Sequence, residues 1–251
     1  MKKKFKGFYL LVTSIIIGIV HLPFAFAKSA TGSKLFYLPP GDTTTTTTIA
    51  DTKTFVPALK SVYDSLQLNL KGLSQQAFDY AKRGLDKLIK EGKLLNGTII
   101  SIIDFSEPSN KKRLFVIDLS NYKVIYNTLV AHGKNTGREW ATSFSNQNSS
   151  YKSSPGFYIT KETYQGKNGY SLKLEGQEKG INDMAYERGI VMHGAEYVSD
   201  AFVNARGFAG RSLGCPAVPV EASRSIINTI KNGTCLFIYH PDYMGHSVVL
   251  N

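Results

Sequence analysis

The sequence predicts a mainly β domain, a β-sandwich or barrel-like sheet with a helical pair in front and a short helix near the C-terminus. Three observations predict it. Seven short runs of β-branched, aromatic and aliphatic residues fall between Thr98 and His240, joined by Gly-rich and polar connections. Apolar residues at helical spacing precede them. A last helical stripe, Ile226, Ile227 and Ile230, sits just ahead of the final run.

Each element has its own local reason. Leu59, Val62, Tyr63 and Leu66 recur at helical spacing after Pro57, a residue suited to a first turn. Ser74 is placed to cap a second helix whose apolar face is Phe78, Ala81, Leu85, Leu88 and Ile89, and Gly92 suits its end. Strands follow in "TIISIIDF" from Thr98, "RLFVIDL" from Arg113 and "KVIYNTLVAH" from Lys123. The polar turn Ser120-Asn121-Tyr122 makes the last two a hairpin. Further strands are "GFYIT" from Gly156, "YSLKL" from Tyr170, "GIVMH" from Gly189 and "TCLFIYH" from Thr234, with a helix over Val220–Lys231.

The N-terminus reads as a secretory signal. Lys2, Lys3, Lys4 and Lys6 precede an apolar stretch from Leu10 to Val20, and Ala25-Phe26-Ala27 offers small residues where a signal peptidase reads. The apolar run is short for a membrane span and Pro23 follows it, so cleavage after residue 27 is expected and an uncleaved anchor is the lesser alternative. No integral membrane segment is expected in the mature chain. Residues 28–54, with Pro39-Pro40-Gly41 and the threonine run 43–48, read as a flexible leader, and residues 55–251 as one domain. The whole chain carries a net charge of +11, and the four lysines of the signal account for four of these charges, leaving +7. A basic exported protein suits an acidic partner in the periplasm or cell envelope, although solubility alone gives the same balance. No basic-aromatic nucleic-acid motif is visible.

The chemistry centres on "GRSLGCPAVP". Cys215 lies between Gly214 and Pro216, a backbone able to hold a sulfur at the rim of a site. A cysteine nucleophile needs a base, and His193, followed by Gly194 at the end of "GIVMH", is the candidate. The N–H groups of Gly214 and Cys215 are candidate oxyanion donors. A small core cysteine and a structural histidine are the competing readings. His132, His193, His240 and His246 lack metal-ligand spacing, so neither metal nor cofactor is expected. Arg211 and Arg188 are candidate carboxylate clamps, with structural or solvated arginines as the alternative. His132, at a strand end, is a candidate lining residue or an ordinary polar one. Trp140 and Tyr170 read as packing residues. Cys235 alternates on to the face of Phe237 and Tyr239, which makes it a buried free thiol rather than a disulfide partner of Cys215.

The string "IVMHGAEYVSDAFVNARGFAGRSLGCPAVP" resembles the active-site signature of YkuD-type L,D-transpeptidases, and more closely the murein L,D-transpeptidase catalytic domain family. The likeness continues through "SIIDFSEPSNKKRLFVIDL", "LVAHGKNTG", "ATSFSNQNSSYKSSPGFYIT", "YQGKNGYSLKLEG" and "GINDMAYERGIVMHGA", and so covers nearly all of Leu59 to Tyr239. It implies a YkuD-like β-sandwich or barrel that acts on peptidoglycan stem peptides. Cys215 is then the nucleophile, His193 its base, Gly194 the residue whose carbonyl orients that histidine, and Ser212 the serine of the Ser/Thr-His-Gly-Cys element. Two departures stand out. Leu213 occupies the place of the histidine in that element, and the interval from His193 to Cys215 is a few residues long. The implied reaction is acyl transfer through a thioester, to a second stem as L,D-transpeptidase or to water as L,D-carboxypeptidase. A papain-like cell-wall hydrolase runs Cys then His, the reverse of the order here. An idle peptidoglycan-binding protein is the remaining alternative.

Overall fold

The computed structural model describes residues 61–251. The signal segment, the Thr-rich leader and the Pro57–Leu59 start of the first helix lie outside the described residues. Among the described residues no helix is long and apolar enough to cross a membrane.

Helix α1 is a single turn, Val62–Ser65, capped by Ser61. It stops because Gln67 takes a left-handed conformation (φ 50°), and the chain folds back so that the Tyr63 hydroxyl donates to the Leu73 carbonyl at 2.5 Å. Helix α2 spans Gln75–Lys90. Ser74 caps it as the sequence suggests, its Oγ accepting from the Ala77 N–H at 3.2 Å. At the other end Gly92 (φ 66°) allows its own N–H to reach Ile89 and the Lys93 N–H to reach Leu88, which satisfies two terminal carbonyls. Phe78, Ala81, Leu85 and Leu88 are buried. Ile89 is 46% exposed, a correction to the predicted stripe: it lies one residue past Leu88 and so about 100° around the helix from it.

Eight strands form one sheet: β1 Ile99–Asp104, β2 Leu114–Asp118, β3 Lys123–Thr128, β4 Gly156–Gly166, β5 Gly169–Gly176, β6 Val191–Gly194, β7 Ala217–Val218 and β8 Cys235–Tyr239. Their order is β3-β2-β1-β8-β4-β5-β6-β7. β2 and β3 pair antiparallel as the predicted hairpin, with Asp118 Oδ1 accepting from the Ser120 and Asn121 N–H groups in the turn. β1 and β8 run parallel, as do β6 and β7. The two sheet edges nearly meet. Beyond β3, Ala131 bridges Ala217 of β7, its N–H donating at 2.8 Å, and Gly133 bridges Ser212. The sheet is thereby a nearly closed barrel.

Period-two alternation divides the core. Ile100, Ile102, Phe115, Ile117, Phe157, Cys235, Phe237 and Tyr239 face outward under α2. Ile99, Ile103, Leu114, Val116, Tyr158, Leu236 and Ile238 face inward, against Ile226, Ile227 and Ile230 of α4 (Val220–Ile230). β1 is buried at every position, because helices cover both of its faces. Each fully buried Leu or Ile contributes about 1.5–3 kcal/mol. Helix α3, Asp200–Arg206, is an element the sequence reading left out; Ser199 caps it and Gly207 (φ 82°) ends it. The other omissions are two-residue β7 and a 3₁₀ turn at Pro241–His246. The carboxylate of Glu178, fully buried, accepts from the Phe157 N–H, the Tyr243 and Ser247 hydroxyls and the Val249 N–H, and so ties the C-terminal segment to the barrel.

Candidate active site

The candidate site residues lie at the closing edge of the barrel. In the parallel β6–β7 pairing His193 is level with Ala217 and Gly194 with Val218, so Cys215, two residues before Ala217, falls level with Val191, two residues before His193. A four-residue strand and a two-residue strand thus bring together two residues 22 positions apart. Cys215 is half-buried against the inward cluster, and its Sγ has the Gly189 carbonyl as a weak partner at 3.8 Å.

The histidine is held by its neighbour. His193 Nδ1 lies 2.9 Å from the Gly194 carbonyl oxygen. A carbonyl only accepts, so Nδ1 carries the proton and Nε2 keeps its lone pair. Burial pushes the His193 pKa down, partly offset by that carbonyl. Burial likewise pushes the Cys215 thiol up, partly offset by the Val191 N–H, by Arg188 and by its own N–H. Both directions favour a neutral thiol beside a neutral imidazole at neutral pH.

The turn around the sulfur is built on Ser212. This side chain is 5% exposed; its hydroxyl donates to the Cys215 carbonyl at 2.6 Å and accepts from the Gly214 N–H at 3.0 Å. The Gly214 N–H (φ 124°) is thereby taken up by Ser212, and the Cys215 N–H is the remaining candidate of that pair. The lack of a side chain matters here: a Cβ on Gly214 would stand 2.8 Å from the Lys152 carbonyl. Ser153 completes the support, its Oγ donating to the Gly214 carbonyl at 3.1 Å and accepting from the Gly133 N–H at 3.0 Å.

The other predicted residues separate. Arg211 is exposed, held loosely by the Lys134 and Gly137 carbonyls at 3.3 and 3.4 Å. Arg188 is half-buried, and all its side-chain hydrogen bonds go to neutral groups of residues 145–154. His132 is not brought to the rim. It is fully buried, with Nδ1 2.9 Å from Arg113 Nη2 and Nε2 3.3 Å from the Gly137 carbonyl. Burial and Arg113 hold its pKa down at about 4. Since the guanidinium only donates, Nδ1 accepts and Nε2 carries the proton. Arg113, itself fully buried without a carboxylate partner among the described residues, also donates to the Val130 and Glu107 carbonyls. Trp140 is 48% exposed, so it does not serve as the packing residue expected, whereas Tyr170 packs against the inward cluster. Leu213 is 58% exposed at the lip of the turn.

Sequence reasoning missed Ser153 and Tyr197. Tyr197 accepts the Gly210 N–H on its carbonyl at 2.8 Å, and burial together with the Cys215 sulfur pushes its phenol up to about 12. Its one signal was its place four residues after His193. Among the described residues no group of His, Cys, Asp and Glu could hold a metal ion.

A half-buried cysteine on a tight turn and a histidine of fixed tautomer thus lie on adjacent strands at the seam of a nearly closed barrel, in a chain of mainly β class. Within that class the chain belongs to the L,D-transpeptidase catalytic domain family, whose YkuD_2 model matches residues 69–239. Among solved structures it is similar to an L,D-transpeptidase from Mycobacterium smegmatis (10% identity, TM-score 0.37, 57% of this chain and 59% of that one). It is also similar to L,D-transpeptidase 3 from Mycobacterium tuberculosis (11%, 0.37, 57% and 61%). A third is the helical cell shape determining protein Pgp2 from Campylobacter jejuni (11%, 0.40, 63% and 56%). The chain spans under two thirds of each of these proteins. No curated protein matches it.

Proposed function

We propose that this protein is an exported peptidoglycan L,D-transpeptidase that uses Cys215 as nucleophile and His193 as base. The observation that carries the reading is the 2.9 Å contact between His193 Nδ1 and the Gly194 carbonyl, which leaves Nε2 as the free base. Because burial favours the neutral form of both groups, the thiol proton passes to Nε2 as sulfur attacks the carbonyl between the diamino acid and the terminal D-alanine of a tetrapeptide stem. The Cys215 N–H faces the developing oxyanion. Collapse breaks the C–N bond, and His193 returns its proton to the departing D-alanine amine. An amine of a second stem then attacks the thioester carbonyl, gives a proton to His193 and expels the sulfur. Arg211, exposed beside the turn, is the candidate clamp for a stem carboxylate. The proposal includes a signal over residues 1–27, a leader over 28–54, a catalytic domain over 55–251, and action in the periplasm or cell envelope on the wall's stem peptides. Incubation with two tetrapeptide stems followed by muropeptide analysis tests it. A dimer cross-linked between third-position residues is expected; tripeptide alone makes the protein an L,D-carboxypeptidase, and unchanged stems leave an idle binding protein.

A further inference from the structure

Arg188 stands between the catalytic turn and the loop that covers it. Its Nη1 donates to the Ser145 carbonyl at 2.9 Å and to Ser154 Oγ at 2.6 Å. Its Nη2 donates to the Lys152 carbonyl at 2.8 Å and to Ser150 Oγ at 3.4 Å. None of these partners is charged, and among the described residues no ion pair neutralises this guanidinium. The positive charge therefore stays, fixed by four hydrogen bonds and half-buried, where screening is weak. It lies against the nucleophile's turn: a Cβ on Gly214 would meet Nη2 at 3.5 Å. A substrate carboxylate would have to displace several of these bonds to claim the fork, whereas Arg211 is exposed and held only at 3.3–3.4 Å.

We propose that Arg188 is a positioning residue rather than a substrate clamp: it fastens residues 145–154 over the Gly214–Cys215 turn and fixes a positive charge that favours the Cys215 thiolate. The inference rests on Cys215 being the site's reactive thiol, and on no particular acceptor. Other charged or titratable groups face the sulfur or Arg188, and Tyr158 of β4, the fully buried phenol next to Arg188, donates its hydroxyl to the Ser154 carbonyl at 2.8 Å. His193 comes from β6 with its proton on Nδ1, and Tyr197 from the segment after β6. Lys152 of the covering loop donates its ammonium to Ser143 Oγ at 2.6 Å, and Arg211 of the nucleophile's own segment turns to the Lys134 and Gly137 carbonyls. Of these, Arg188 is the cation whose field acts on the thiol, and the sulfur acts back on Arg188.

The test reads the thiol without any stem peptide, so its outcome is independent of the acyl-transfer reading. Carbamidomethylation of Cys215 by iodoacetamide is followed by peptide mass across pH in the parent protein, Arg188→Gln and Arg188→Lys. Loss of the charge in Arg188→Gln is expected to raise the apparent pKa of Cys215 by about one unit. Below that pKa there is about tenfold less thiolate, each about threefold more nucleophilic, so alkylation slows about threefold. Arg188→Lys keeps the charge and is expected to hold the parent's pKa to within about 0.3 unit. An unshifted profile in folded Arg188→Gln overturns the proposal. A shift in Arg188→Lys as large as in Arg188→Gln overturns the electrostatic role. Should Arg188→Gln fail to fold, Arg188→Met, which keeps the length without the charge, takes its place: a one-unit rise supports the proposal, and a profile like the parent's refutes it.

Discussion

Ser212→Ala is the substitution for which the structure gives the fullest prediction. The hydroxyl is 5% exposed and holds both ends of the turn, accepting from the Gly214 N–H at 3.0 Å and donating to the Cys215 carbonyl at 2.6 Å. Alanine leaves one backbone donor and one acceptor without partners in a buried turn. Each such orphan costs about 1–3 kcal/mol, so a total of about 2–4 kcal/mol is expected after some relaxation. For a folded region of this size about 3 °C of melting temperature is lost per kcal/mol, giving a fall of about 6–12 °C. The nucleophile also loses its anchor, and a displacement of about 1 Å lowers the acylation rate about 100-fold. Thermal unfolding, and acylation by a carbapenem followed by mass, read the two effects separately. Ser212→Thr keeps the hydroxyl and should restore most of both. A Ser212→Ala protein that melts within about 1 °C of the parent and acylates at the parent's rate would refute the argument that this hydroxyl builds the turn.

Three further outcomes follow from the geometry. His193→Gln should slow acylation about 10²–10⁴-fold, with its residual rate still climbing about tenfold per pH unit toward the raised thiol pKa; near-parent rates across neutral pH would assign the base elsewhere, and His132 is too buried to take over. Cys235 is fully buried and free, so a thiol reagent should label Cys215 in the native protein and Cys235 only after unfolding, and Cys235→Ser should cost about 1–3 kcal/mol; rapid native labelling of Cys235 would contradict its place in the core. His132 has a folded pKa of about 4 against 6.5 unfolded, so between those values the unfolded chain binds the extra proton and stability falls as pH falls, by about 3 kcal/mol at the lower end. In His132→Gln that part of the acid slope should vanish in urea titrations at pH 7 and 4, and an unchanged slope would show that His132 is not held neutral.

Much of this was legible because local chemistry and global position agree. Ser74, Gly92 and the Phe78–Leu88 stripe define α2 through capping and periodicity, both local properties. The strand at Thr98 and the hairpin at Ser120 were readable for the same reason. β7 was not, because two residues make a strand only when a partner ladder is already in place. The short α3 was announced by Ser199 and Gly207 but carries no buried residue to give it a stripe. In the candidate site, Cys215, His193 and Gly194 are singled out by residue type and resemblance. Ser153, which props Gly214 from 61 positions away, is not, since no spacing rule links residues that meet only when the barrel closes. The occupation of the Gly214 N–H by Ser212 depends on a rotamer and a positive φ, neither of which residue identity specifies.

The central claim is that Cys215 is the residue acylated by substrate. Intact-protein mass after incubation with a tetrapeptide stem or a carbapenem, with peptide mapping of the adduct, tests it directly. A single adduct on Cys215 in the parent, absent from a folded Cys215→Ala variant, is the predicted result. An adduct on another residue, or cross-linked product made by Cys215→Ala, would contradict the account.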